Sequence, residues 1–190
     1  MSRVFSYLLL TRGIDKDVLF EFVRNKMIYE SADYHNAVFV GYDSNGKPRH
    51  AHKRGTVTNN PYKGNVAGSQ PEFSFHWYGT SDKIFLFEAP IDMLSYISMH
   101  KKNWKEHSYA ASCSVSDRVL FQCLNDNTNI KNVFLCFDND EAGQTANKRI
   151  ADKLNSMNIK SEIFIPIHKD WNEDLTLPDK GDEQICHQVL

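Results

Sequence analysis

The spacing of hydrophobic residues changes along this chain, and the change falls near Ser81. Before it the elements are mixed. SRVFSYLLLT (2–11) predicts a short helix stopped at Arg12-Gly13. A second helix follows, with Val18, Leu19, Phe22, Val23 and Met27 recurring at helical spacing. Asp15 stands at its N-cap position, and Ile14 and Leu19 occupy the positions of a hydrophobic staple. In NAVFVGYDSNGKPRHAHKRGT, Ser44-Asn45-Gly46 between two strand-like runs predicts a hairpin. NNPYKGNVAGSQ predicts loop by its Gly, Pro, Asn and Ser content. EFSFHWYG alternates and predicts another strand.

From Ser81 the rhythm becomes strand, helix, strand, helix. KIFLFEAP predicts a strand apolar on both faces, and IDMLSYISMHKK a helix. HSYAASCS is a weaker strand, followed by the helical DRVLFQCLNDN. KNVFLCFDND is the strongest strand, EAGQTANKRIADKLNSMN a long amphipathic helix, and KSEIFIPI the last strand. Strands without a polar face, separated by helices, argue for a mainly parallel four-stranded sheet covered on both sides. The fold class is therefore α/β. In such sheets ligands gather at the carboxyl ends of the strands.

Composition changes this picture little. The chain has 190 residues, 41% hydrophobic and 24% charged, as in ordinary globular proteins. A net charge of -2 supplies no global basic field for nucleic acid or membrane, so any polyanion site must be local. Cys113, Cys123, Cys136 and Cys186 form no CxxC pair and no zinc spacing, which predicts free thiols in a reducing cytoplasm. The N-terminus lacks a signal-peptide pattern, and no stretch reaches the length of a membrane span.

The chemistry sits where the strands end. The first closes on Glu88, with Asp92 four residues on, and the third on Asp138-Asn139-Asp140. After the last comes HKDWNEDL, with Asp170, Asn172, Glu173 and Asp174. Two carboxylates two positions apart share one side of an extended chain, which is costly unless a cation lies between them. Hard oxygen ligands suit Mg²⁺ or Mn²⁺. The competing explanation is helix capping: Asp140 precedes a helix, and Asp92 is a first-turn acid favoured by the dipole. The residues alone leave both open.

Glu88-Ala89-Pro90-Ile91-Asp92, then Asp138-Asn139-Asp140-Glu141-Ala142-Gly143, then Lys169 to Leu175 after the next strand, resemble the motifs of the TOPRIM domain. That domain occurs in bacterial primases, topoisomerases and certain nucleases, and the primase branch, with its EGxxD, DxDxAG and DPD-like motifs, is the most similar. The segments YLLLTRGIDKDVLFEFV and NAVFVGYDSNGKPRHAHKRGT are similar to the helical entry and the shortened upstream part of a primase core, as in primase-like proteins of mobile elements. The resemblance implies a TOPRIM domain at 81–176, a small α+β primase-core-like subdomain at 1–80, and a tail at 177–190. It implies Glu88, Asp138 and Asp140 as catalytic residues, a metal set of Glu88, Asp138, Asp140 and Asp170, and secondary roles for Asp92 and Asn172. Ala89 replaces the usual glycine, and Asn172 stands where a second aspartate is frequent.

The cofactor implied is Mg²⁺, with Mn²⁺ able to substitute and no zinc. The partners implied are a single-stranded DNA template, nucleoside triphosphates, and a helicase or other replication protein, with no membrane. The activity implied is primase-like nucleotidyl transfer. Alternatives are a TOPRIM nuclease and a nucleic-acid-binding module that does no chemistry of its own. A haloacid-dehalogenase-type phosphatase also carries DxD, but early in the chain and followed by Thr or Val.

Between Asp43 and Glu72 there is no acidic residue, while Lys47, Arg49, Lys53, Arg54 and Lys63 fall there. Such a run is either a solvated hairpin face or a phosphate-binding surface. The resemblance favours the second, with Lys53, Arg54 and Lys63 as nucleic-acid contacts. Phe73, Phe75 and Trp77 alternate, which predicts a core strand rather than base-stacking residues.

Overall fold

A computed structural model describes residues 2–57 and 62–177. Cys186, the tail beyond Leu177, residue 58 and residues 59–61 of the predicted loop lie outside the described residues.

The first predicted helix is present but changes pitch. Ser2–Ser6 (α1) is α-helical, and Tyr7–Thr11 widens into a π-turn, so that Arg12 N–H donates to the Tyr7 carbonyl at 3.0 Å. Gly13 (φ +67°) turns the chain in the left-handed region that favours glycine. Asp15 caps Lys16–Arg24 (α2), accepting from the N–H groups of Asp17 and Val18 at 2.9 and 3.2 Å. Both staple residues, Ile14 and Leu19, are buried.

Ile28–Glu30 (β1), Ala37–Tyr42 (β2), Pro48–Arg54 (β3) and Lys63–Asn65 (β4) form an antiparallel sheet in chain order. The hairpin predicted around Asn45-Gly46 joins β2 to β3. The predicted loop is corrected in part: Lys63–Asn65 is a strand, paired from His52 to Arg54. Lys-Gly-Asn carries no hydrophobic alternation; backbone pairing and the His52–Asn65 side-chain hydrogen bond hold it there. EFSFHWYG is corrected as well. Pro71–Phe73 is a 3₁₀ turn, consistent with the φ that proline fixes, and only His76–Trp77 (β5) is strand. The aromatics of this stretch serve the core. Phe75 is fully buried, and Phe22 lies 5.3 Å from its ring and 5.4 Å from that of Trp77.

The second sheet has five strands rather than four. Lys83–Phe87 (β6), Ser108–Ala111 (β7), Asn132–Cys136 (β8) and Lys160–Ile163 (β9) are parallel, and β5 adds an antiparallel edge, in the order β5-β7-β6-β8-β9. Alternation divides its side chains. Phe85, Phe87, Phe134 and Cys136 face the core shared with Pro90–Met99 (α3), Trp171–Thr176 (α6) and the N-terminal elements. Ile84, Leu86, Val133 and Leu135 face Arg118–Asp126 (α4) and Glu141–Ser156 (α5). Among the described residues no helix is long and apolar enough to cross a membrane.

Candidate functional site

The parallel strands β6 and β8 are neighbours, with Phe87 opposite Cys136, so their carboxyl ends open side by side. A cavity of about 360 Å³ lies there, lined by Glu88, Asp92, Asp138 and Asp170 among others. Asp140 does not line this cavity but borders a groove on the other side of the α5 N-terminus. It is nevertheless the charge that raises the Glu88 pKa most. Capping and proximity to the acids therefore coexist: Asp140 Oδ1 accepts the Gly143 N–H at 2.8 Å. Asp170 likewise caps α6 through the Glu173 N–H at 2.8 Å. Trp171, next to it, donates its indole N–H to the Cys136 carbonyl at 2.9 Å and fastens α6 to the end of β8.

Gly143 explains how close this packing is. A Cβ there would stand 2.1 Å from the Asp138 carbonyl oxygen, so α5 starts against the backbone that presents the acids. Ala89 raises no such problem. Its φ of -130° is ordinary extended backbone, and the turn into α3 needs no glycine at that position.

The acids disfavour their own charges. Burial, then the charges of Glu88, Asp170 and Asp140, push Asp138 from 3.8 to about 7. Burial and Asp140 raise Glu88, and burial, Asp138, Asp170 and Glu88 raise Asp92 well above the usual range. Asp138 Oδ1 is buried without a hydrogen-bond partner. Among the described residues no three His, Cys, Asp or Glu side chains already stand as a metal-holding group. The donor set of hard oxygens, with one orphaned acceptor, fits Mg²⁺ or Mn²⁺.

Cations line the same cavity. They are Arg54 and Lys63, cross-strand partners on β3 and β4, together with Arg12 and with Lys169, which precedes Asp170 and whose carbonyl accepts the Asn139 N–H at 2.8 Å. Lys53 is placed elsewhere. Successive strand residues face opposite ways, and Lys53 reaches Asp33 Oδ2 at 3.6 Å. Asn172 does not point a free oxygen at the acids. It accepts from Arg12 Nη1 at 3.0 Å and donates to the Arg12 carbonyl at 2.7 Å and to Ser95 Oγ at 2.9 Å. His168 pairs with Asp174 at 2.9 Å.

Sequence reasoning missed Arg12 and Lys169. Arg12 reads locally as a helix stop, while its partner Asn172 is 160 positions away. Its Nε donates to Tyr7 Oη at 2.9 Å, and Arg54 Nε approaches the same oxygen at 3.5 Å. Among the described residues neither arginine pairs with a carboxylate. Lys63 and then Lys169 lower the pKa of Glu88, and Lys169 lowers that of Asp138 as well.

Comparison with known proteins places this arrangement. Residues 85–175 match the family described as Toprim-like, and residues 6–81 the family described as a protein of unknown function (DUF3991). The uncharacterized protein pXO2-78 of Bacillus anthracis is 26% identical, across 96% of this chain and 59% of that protein. The chain thus spans about 59% of the length of the curated relative it matches. The primase fragment of the bacteriophage T7 primase-helicase protein superposes with a TM-score of 0.65 at 22% identity, covering 88% of this chain and 67% of that one. The E. coli primase catalytic core gives 0.60 at 14% identity, over 90% and 67%. At these identities the likeness establishes the fold, which is that of primase catalytic cores.

Proposed function

We propose that this chain, a DUF3991 domain followed by a Toprim-like domain, is a Mg²⁺-dependent primase-like core that joins nucleotides on a single-stranded DNA template. The carrying observation is one cavity lined both by carboxylates and by cations. A metal would supply charge neutralisation and orientation of phosphates. Glu88, Asp138, Asp140 and Asp170 are the residues that would hold it. Arg54, Lys63, Arg12 and Lys169 line the cavity as well and are suited to bind phosphate oxygens. Glu88, raised by burial and by Asp140, is suited to accept a proton as the new bond forms.

The primase domains in a T7 lagging-strand polymerase assembly, bound to an RNA/DNA hybrid and dTTP, are similar to this chain at a TM-score of 0.60 and 20% identity. By analogy the ligands here are template and nucleoside triphosphates, and the partners a helicase or other replication protein in the cytoplasm. A second reading is a nucleic-acid-binding module without chemistry of its own. It draws on the lack of a ready three-ligand group among the described residues.

Template-dependent ribonucleotide incorporation decides between them. The primase reading expects incorporation that is lost in Asp138→Ala. Cleavage of DNA without nucleotides would transfer the assignment to a nuclease. Salt-sensitive binding with neither activity, in Mg²⁺ or Mn²⁺, would leave the module.

A further inference from the structure

His52 lines the cavity and is itself buried, at 6% exposure. It sits on β3 two positions before Arg54, on the same face, with Phe39 beside it in the lining. Its Nδ1 is 2.8 Å from Oδ1 of Asn65, its cross-strand partner on β4. A carboxamide oxygen only accepts, so Nδ1 must donate. In the neutral ring that leaves Nε2 as an acceptor.

The surroundings keep the ring neutral. Burial is the main cause, and Arg54 and Lys63 push the same way against the Asn65 bond. Among the described residues Nε2 has no partner, and it is not sealed off as both ring nitrogens of His50 are. The contrast with the charged lining is chemical. The side chains of Arg12, Arg54, Lys63 and Lys169 offer only donors, and the carboxylates are the residues suited to a cation. A ligand whose phosphates face those cations meets a neutral acceptor in His52.

We propose that His52 Nε2 selects a nucleotide by accepting a hydrogen bond from one of its donors, a sugar hydroxyl or a base N–H. This rests on the cavity being a nucleotide site. His52 is then a specificity residue, distinct from the acids that would hold metal and from the cations that face phosphate.

The test is calorimetric binding of ATP, 2′-deoxyATP, 3′-deoxyATP and purine riboside triphosphate to the full chain in Mg²⁺. The proteins compared are wild type, His52→Phe and His52→Gln, each checked for folding by thermal melting. Wild type should bind ATP about fivefold to tenfold more tightly than the analogue lacking the donor that His52 reads. Loss of preference against a deoxy analogue identifies the sugar, and against purine riboside the base. His52→Phe should bind ATP and that analogue equally, and His52→Gln, which restores an acceptor, should regain the preference. If His52→Phe keeps the wild-type ratios, or weakens all four ligands alike, the assignment is overturned. If no protein binds any nucleotide while all remain folded, the cavity is not a nucleotide site and the inference falls with that reading.

Discussion

Replacing Asp138 by Asn should make the metal-free protein more stable at pH 8, although it removes a residue proposed for the active site. Burial and the neighbouring acids raise Asp138 from 3.8 to about 7. An acid whose folded pKa lies above its unfolded value costs nothing while both states are protonated. Its cost grows as pH rises from about 3.8 to about 7 and is constant above that. Roughly three pKa units correspond to a ceiling of ~4 kcal/mol. Asp138 is only partly buried, and solvent screening brings the working figure to ~2 kcal/mol. For a chain of this size that is about 4–8 °C in Tm.

The assay is thermal unfolding in EDTA from pH 4.5 to 8. The two proteins should differ least at the acid end, and Asp138→Asn should lead increasingly as pH rises. Added Mg²⁺ should raise the wild-type Tm more than that of the variant. A variant less stable than wild type at pH 8 in EDTA, or a gap that does not change with pH, would refute the electrostatic reasoning.

His50 is buried with both ring nitrogens unpartnered, and burial lowers it to about 4. The unfolded state therefore takes up a proton first, and stability falls as pH drops from 6.5 towards 4. His50→Leu should flatten that fall by roughly 2–3 kcal/mol, measured as the wild-type-minus-variant difference in urea unfolding across this range. Gly143→Ala should cost about 1–3 kcal/mol or fail to fold, because its Cβ would overlap the Asp138 carbonyl; an unchanged Tm would mean that α5 can withdraw. Lys63→Ala should weaken single-stranded DNA binding and lower its salt slope by about 1, whereas Lys53→Ala should leave both near wild type. Equal effects of the two would remove the distinction between the faces of β3.

The centre of the parallel sheet was legible because β6 and β8 are apolar runs between turn signals, and the structure buries both faces of β6, β7 and β8, whereas β9 is an exposed edge. The three-residue β4 was not legible, and β5 was legible only as a longer strand than the two residues that form it. A strand that short carries no period, and its pairing depends on partners elsewhere in the chain. At the site, the order of Glu88, Asp138 and Asp170 after successive strands led to one rim, and all three line the same cavity. The choice between cap and acid at Asp140 was posed as a rivalry, but a carboxylate has two oxygens, and only Oδ1 is used by Gly143. Lys53 could have been separated from Arg54 by applying strand alternation to the hairpin. Arg12 could not have been found, since a turn arginine acquires its place through Tyr7, Asn172 and the packing of α6.

The central claim is that the carboxylates at the ends of β6 and β8 hold a divalent cation in the cavity that the basic residues also line. Anomalous diffraction from crystals equilibrated with Mn²⁺ tests it most directly. The account predicts a peak coordinated by oxygens of Glu88 and of the Asp138–Asp140 pair. The absence of any peak there, at concentrations that saturate related sites and with the cavity free of crystal contacts, would contradict it.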